Sequence, residues 1–326
     1  MTTSWKPSAE ITTLKRRAQY LADVRLFFAE RDVWEVETPI LSQAAPTAPY
    51  LDSFTTDYRP IGTQAKQTYY LQTSPEFSMK RLLAADSGSI YQIARVFRNG
   101  EQGRLHSPEF TMLEWYRPEL TLPQLMDEVN VLLRQVFNIE PVIRLSYRSV
   151  FEFFLKINVF NCTDEVIKHC ALERISSLPI DLELDRDGWL ELLMSYIIEP
   201  RLAAMAMPLF IYDFPASQAQ LAKLKKDSSG NQVADRFELY IDGVELANGY
   251  NELLDADELR QRFEADNQLR KQQNKAEIPL DEHLLAAMQN GLPECSGVAL
   301  GLDRLIMLAL NQTKLSEVNS FSFECA

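Results

Sequence analysis

Residues 236–241 and 244–253 both read as strands, and only Asp242-Gly243 separates them, the commonest kind of two-residue hairpin turn. That pair must run antiparallel. A second pair of strand-like runs, 89–97 and 109–116, is joined by the polar loop 98–108 and forms another hairpin. Further strand signals stand at 67–72 and 209–214, and residues 297–310 read as a buried strand entering an apolar helix. Because these strands do not alternate with helices in βαβ fashion, the expected fold is α+β, a mainly antiparallel sheet flanked by helices.

The helical signals are distinct. Ile11, Leu14, Ala18, Leu21, Val24 and Phe28 recur at intervals of three and four, with Lys15, Arg16, Arg17 and Arg25 on other faces. The amphipathic helix runs into the alternating apolar and acidic stretch 33–39, where Pro39 ends ladder donation and holds Thr38 extended. Helices are also expected at 77–85, at 122–137 and across the middle region 164–202. Residues 225–232 read as a mobile polar loop. With 326 residues, 46% of them apolar, and 11 glycines, the chain can bury an ordinary core, and residues 1–326 are expected to form one catalytic domain.

Charge narrows the function. There are 33 Lys and Arg against 46 Asp and Glu, a formal charge of -13. That is the wrong sign for holding a polyphosphate backbone over a large surface. Cys162, Cys170, Cys295 and Cys325 contain no C-x-x-C pair, and His106, His169 and His283 are equally scattered, so neither a zinc site nor a disulfide framework is expected. Residues 1–10 lack an apolar leader core, and the apolar run 305–310 is too short to cross a bilayer. A cytoplasmic protein without a membrane partner is expected.

Three segments carry chemistry. In 97–110, Arg98 stands at the end of an apolar strand and Phe110 at the start of the return strand. A guanidinium there can bridge an α-phosphate and an acyl carboxylate, and the ring can stack on a purine. In 245–252, Glu245 and Glu252 lie seven positions apart, which puts them on opposite faces of a regular strand. A bulge at Gly249 would restore a common face, where two carboxylates could hold Mg²⁺ while ATP phosphates fill other positions. In 296–304, Gly297, Ala299 and Gly301 face one side and leave room for a ligand, while Arg304 can cover a base stacked on Phe110. Each segment also has a plain structural reading: a surface hairpin, two solvated glutamates, and a core strand that accommodates a crossing helix.

Taken in order, the segments resemble the class II aminoacyl-tRNA synthetases. Glu37-Thr38-Pro39 after a long helix is similar to motif 1, 97–110 to motif 2 and 297–304 to motif 3. His106-Ser107-Pro108-Glu109-Phe110-Thr111-Met112-Leu113-Glu114-Trp115-Tyr116 and Glu245-Leu246-Ala247-Asn248-Gly249 resemble the lysyl branch. The likeness runs from about Ser8 to the end, and it implies that the anticodon-binding OB-fold domain is absent and that tRNA is not a partner. In Thr73-Ser74-Pro75-Glu76, Ser74 replaces the usual Ala of the tRNA enzymes, and Ala299 replaces a Gly. Both changes are shared with the elongation factor P (R)-β-lysine ligases, to which the chain is similar.

The resemblance implies a class II catalytic domain that activates (R)-β-lysine with ATP and passes it to a lysine of elongation factor P. Arg98 would bind the α-phosphate and the substrate carboxylate, Phe110 and Arg304 would sandwich adenine, and Glu245 and Glu252 would serve Mg²⁺. Ser74, Pro75, Glu76, Glu114, Tyr116, Glu252 and Ala299 would line the amino-acid pocket. Asn99, Gly100, His106, Ser107, Leu246 and Gly301 would complete the ATP site, and motif 1 would build a homodimer. Motif 2 of the family usually reads Arg-Asn-Glu, whereas here Gly100 follows Asn99. Either Glu101 reaches the adenine edge after a one-residue shift, or backbone groups of Gly100 suffice. An α-lysine-activating enzyme is the reading that Ser74 and Ala299 oppose. A catalytically inert regulatory paralogue has only Gly100 in its favour.

Overall fold

The computed structural model describes residues 5–140, 142–179, 181–205 and 207–325. The chain divides into two compact units. The first holds the chain up to Thr121, Val131–Ile139 and the chain from Leu253 onward; the second holds Leu122–Asn130 and Glu140–Glu252.

The first unit opens with helix α1 (Ile11–Ala29), whose buried residues Tyr20, Val24, Phe27 and Phe28 follow the three-and-four spacing. Phe28 stacks on Tyr91 with centroids 4.4 Å apart and meets Trp115 edge-on at 5.4 Å. These contacts seat α1 on the strands that carry the two rings. There follow β1 (Trp34–Glu35), β2 (Leu41–Ser42), β3 (Thr55–Tyr58), β4 (Gln67–Leu71), helix α2 (Glu76–Leu83), β5 (Ile90–Phe97) and β6 (Glu109–Pro118). Strands β2, β4 and β3 make a small antiparallel sheet of their own. Strand β1 runs parallel to β5, with Trp34 opposite Ile90, because the intervening chain is long enough for a parallel return. Strands β5 and β6 pair antiparallel from Ile90↔Tyr116 to Phe97↔Glu109, the hairpin expected from sequence.

Helix α3 (Leu122–Phe137) contributes to both units. The second unit then contains β7 (Ile143–Ser146), α4 (Tyr147–Leu155), α5 (Asp164–Arg174), α6 (Arg186–Leu193) and α7 (Glu199–Met205). A π-helical stretch, Met194–Ile198, joins α6 to α7. The strands β8 (Leu209–Pro215), β9 (Leu224–Lys226), β10 (Gln232–Ile241) and β11 (Val244–Asn251) complete it in the order β11-β10-β8-β7, with β9 also on β10. Only the β7–β8 pair among them is parallel. Tyr147, Phe151, Trp189, Leu193, Ile211 and Phe214 form the heart of its core.

The β10–β11 turn is the expected one, with Asp242 and Gly243 both at positive φ, 51° and 72°. A Cβ on Gly243 would lie 2.4 Å from the Glu199 carbonyl oxygen, so only glycine fits against α7. The tract 225–232 is in part the polar loop expected: 227–231 form the turn between β9 and β10, while its two ends belong to those strands. Lys225 and Lys226 belong to β9, Lys225 pairs with Asp213 at 2.9 Å and with Asp235 at 2.6 Å, and Asp227 caps the turn by accepting from Ser229 N and Asn231 N. The polar residues serve both an ion-paired edge strand and the exposed turn that follows it.

The chain returns to the first unit with α8 (Ala256–Gln272), α9 (Glu282–Gly291), β12 (Cys295–Gly301) and α10 (Leu302–Ala309). Strand β12 pairs antiparallel with β6, giving the order β1-β5-β6-β12. Helix α8 is so rich in charge that its apolar spacing is faint, yet Asp255 caps it by accepting from Asp257 N and Glu258 N. All four cysteines are free thiols. Among the described residues no helix is long and apolar enough to cross a membrane.

Candidate functional site

The central strand of the first unit's sheet, β6, directs Phe110, Met112, Glu114 and Tyr116 to one face by its period of two. On that face Glu114 has Gln92 of β5 on one side and Ala299 of β12 on the other. Gly297 pairs with Tyr116 and Gly301 with Met112, so the small residues of β12 do line this face. Beside large neighbours they leave a floor without side-chain bulk.

Helix α2 brings Ser74, Pro75 and Glu76 to the same place. Ser74 Oγ donates to Glu114 Oε1 at 2.6 Å and accepts from Glu76 N at 3.0 Å, with Pro75 as the residue preceding the helix. Tyr116 Oη donates to Glu114 Oε2 at 3.3 Å. Glu76 Oε1 in turn accepts from Lys80 Nζ at 2.6 Å. Glu114 is 1% exposed. Burial, and then the neighbouring Glu76 carboxylate, push its carboxyl up to about 8, against the hydrogen bonds from Ser74 and Tyr116 and the Arg98 charge. Ser74, Glu76, Glu114 and Tyr116 are thus brought together as the sequence proposed. Lys80 was missed, although its position four residues after Glu76 on a helix is a readable signal.

The loop after β5 is braced at both ends. Arg98 N donates to Pro108 O at 2.9 Å, and Asn99 N to Asp52 O at 2.8 Å. Asp52 is itself fixed by Arg270 and Lys275, each at 3.1 Å. The Arg98 guanidinium lies 5.2 Å from the Phe110 ring centroid, and its Nη1 is 3.8 Å from Glu101 Oε1. Gly100 has φ 88°, a conformation that disfavours the glutamate usual there, and the acid sits one residue later beside Arg98. His106 is exposed and Ser107 half-buried; the His106 carbonyl accepts from Gly103 N at 3.0 Å, which closes the loop tip.

Gly301 ends β12 and is the residue from which α10 starts. Arg304, on the first turn of α10, donates from Nε to Leu105 O at 3.0 Å, linking that helix to the loop. Its neighbour Asp303 is buried. Asp303 Oδ2 accepts from Thr111 N at 3.0 Å and Oδ1 from Arg17 Nη2 at 2.5 Å, while Arg17 also reaches Thr111 Oγ1 at 3.0 Å. Helix α1, strand β6 and helix α10 are therefore locked through one carboxylate, a role that no local sequence signal revealed.

Glu245, Leu246 and Glu252 lie in the second unit. The register of β10 and β11 slips between Leu239↔Ala247 and Tyr240↔Glu245, leaving Leu246 as the extra residue. Gly249 pairs regularly with Phe237, so the bulge expected there is at Leu246 instead. A glycine is not needed for a bulge, only one unpaired residue. Its consequence is the one expected: Glu245, Asn248, Tyr250 and Glu252 share a face. Arg236 and Glu238 of β10 face the same way and are buried. Arg236 Nε donates to Asn248 Oδ1 at 3.0 Å and Nη2 to Glu238, which also accepts from Tyr240 Oη at 2.6 Å. Burial raises the Glu238 carboxyl to about 7, opposed by Arg236 and reinforced by Glu245. Glu245 is exposed, and Glu252 is buried. Among the described residues no group of three or more His, Cys, Asp or Glu could hold a metal ion.

An antiparallel sheet bearing an arginine and an aromatic at the mouth of a hairpin, with a glycine-lined strand leading into a helix, is the architecture of a class II synthetase catalytic unit. Residues 6–324 match the family described as tRNA synthetases class II (D, K and N). The chain is 50% identical over 326 residues to an elongation factor P (R)-β-lysine ligase of Pectobacterium atrosepticum, covering 100% of this chain and 99% of the relative. It is 49% identical over 321 residues to the enzyme of that name from Photorhabdus laumondii, covering 98% of each. With the Yersinia enterocolitica protein of the same name it shares 48% over 320 residues, again 98% of each. Within class II the chain belongs to the elongation factor P (R)-β-lysine ligase family.

Proposed function

We propose that this protein activates (R)-β-lysine with ATP and transfers it to a lysine side chain of elongation factor P. The observation that carries the reading is the pairing of Ala299 with a buried Glu114 that is hydrogen-bonded to Ser74, with Glu76 adjacent. An amino acid with two ammonium groups loses hydration on entering such a pocket, and carboxylates replace it. In the first half-reaction a carboxylate oxygen of the amino acid attacks the α-phosphorus, the bond to the β-phosphate oxygen breaks and pyrophosphate leaves. In the second, the acceptor amine attacks the acyl carbon, AMP leaves and the amine loses a proton. The attacking carboxylate needs no general base, so positioning and charge neutralisation supply the catalysis.

In the first unit Arg98 takes the α-phosphate and substrate carboxylate, and Phe110 and Arg304 hold adenine, with Asn99, Gly100, His106, Ser107 and Gly301 around the nucleotide. Ser74, Pro75, Glu76, Glu114, Tyr116 and Ala299 of the same unit form the amino-acid pocket. Glu245 on β11 and Glu252 just past its end face the same way and suit Mg²⁺, which is usually held by one or two carboxylates plus phosphate oxygens rather than by a full protein cage. When bound there, the ion would supply charge neutralisation to the polyphosphate.

The remaining expectations belong to the same reading: a cytoplasmic homodimer joined through the motif 1 region, acting without tRNA. Leu26, Trp34, Ile40 and Leu41 are large apolar residues exposed in and just after α1, which supports an isologous contact. The deciding experiment is pyrophosphate exchange with (R)-β-lysine and α-lysine, followed by intact-mass analysis of elongation factor P after incubation with ATP and the better substrate. Preferred exchange with (R)-β-lysine and a single acyl adduct are expected. Exchange with α-lysine alone, or charging of tRNA in place of the protein acceptor, would overturn the reading.

A further inference from the structure

Lys80 is buried to 1% exposure, whereas the next cation on α2, Arg81, stands in solvent. Removing an ammonium from water is costly, so a lysine stays buried only where its charge is balanced. Its Nζ donates to Glu76 Oε1 at 2.6 Å, and the Glu76 side chain is 17% exposed. The Glu76 backbone N–H is fixed as well, donating to Ser74 Oγ, whose own proton goes to Glu114. Lys80, Glu76, Ser74 and Glu114 therefore form one connected run in which two carboxylates share a small space with the Lys80 ammonium, while the Arg98 charge also acts on Glu114.

A lysine fixed on one oxygen of Glu76 offsets part of the negative charge that the two carboxylates bring together and selects the rotamer, leaving the second oxygen to another donor. We propose that Lys80 is a positioning residue for substrate recognition: its buried ammonium holds the Glu76 carboxylate in one orientation so that Glu76 Oε2 receives an ammonium group of the diamino acid. This role rests on the proposed function, since it presupposes a diamino substrate in the pocket.

The role is tested by pyrophosphate exchange with (R)-β-lysine on the full chain, comparing wild type, Lys80→Met and the double variant Lys80→Met/Glu76→Gln. Loss of a charge-assisted contact corresponds to about a 10- to 100-fold rise in KM for (R)-β-lysine in Lys80→Met, with kcat changed far less. If Lys80→Met is too unstable to assay, the double variant, which removes both charges, should recover thermal stability while KM stays high. Should either folded variant keep a wild-type KM, Lys80 is only a structural ion-pair partner and the proposal fails. Absence of wild-type exchange with any lysine isomer would instead overturn the substrate reading, and this role with it.

Discussion

Ala299 and Glu114 are directly paired across the β12–β6 ladder, which sets the Ala299 methyl against the carboxylate that Ser74 holds. Directly opposed side chains in such a ladder have Cβ atoms about 4.5 to 5.5 Å apart. The methyl therefore sits within reach of any ammonium group that Glu114 binds. Moving an amino group from the α to the β carbon changes where that nitrogen lies relative to the carboxylate. Ala299→Gly is expected to raise kcat/KM for α-lysine relative to (R)-β-lysine by about 10- to 200-fold, the range for one methyl-sized change in a pocket. The ratio from exchange kinetics on both substrates checks it. An unchanged ratio would remove Ala299 from the specificity account.

Glu245 on β11 and Glu252 just past its end should behave differently on truncation. Glu245 is exposed, so Glu245→Ala should change stability by less than about 0.5 kcal/mol while abolishing adenylate formation. Glu252 is 1% exposed, and its removal should lower the melting temperature as well as the activity. Circular dichroism melts and exchange rates on the same samples separate the two effects. Near-normal exchange in Glu245→Ala would withdraw Glu245 from the metal site.

Glu114 and Tyr116 were named through the family resemblance, and the strict period of a strand is why they share a face with Phe110. The alternation in 297–301 was legible directly and places the small residues opposite. The common face of Glu245 and Glu252 was also legible, but not the bulge residue, since any residue can be left unpaired and Leu246 has no feature that marks it. Asp303 was opaque for another reason. Its partners Arg17 and Thr111 lie 286 and 192 residues away, and such pairing is set by packing of whole elements. In 225–232 the turn 227–231 was legible, but the strand residues Lys225 and Lys226 were not, because lysines on an edge strand and lysines in a loop have the same local composition.

Asp303 gives a stability prediction. Its carboxylate is buried and meets the Arg17 guanidinium at 2.5 Å and the Thr111 amide at 3.0 Å. Asp303→Asn leaves Arg17 without its countercharge, and breaking a buried pair in this way costs about 3 to 5 kcal/mol. Urea denaturation at one pH should show that loss, and Arg304, one residue further on, should become less well placed, raising KM for ATP. A stability loss below about 1 kcal/mol would mean that water reaches Arg17 and that the three elements are not locked through this residue.

The last expectation concerns pH. The Glu114 carboxyl, ordinarily near 4.5, is held up to about 8, chiefly by burial and next by the Glu76 carboxylate. Between those values the folded protein keeps a proton that the unfolded chain has lost, so the Glu114 contribution to stability falls as pH rises through this window and levels off above about 8. Substrate binding follows the opposite course. An ammonium group prefers the ionised carboxylate, so binding below pH 8 must expel the proton, and affinity should climb roughly tenfold per pH unit before levelling. Ser74 stabilises the ionised form through its hydrogen bond, so Ser74→Ala should move the inflection to higher pH. In Glu114→Gln the inflection near 8 should vanish, while any inflection from Glu238, held up to about 7, should persist. Exchange KM for (R)-β-lysine measured from about pH 6 to about pH 9 in the three proteins reads all of these shifts. A wild-type KM that is flat across that range would mean that Glu114 is already ionised in the free protein, and its hydrogen bonds from Ser74 and Tyr116 would then outweigh burial.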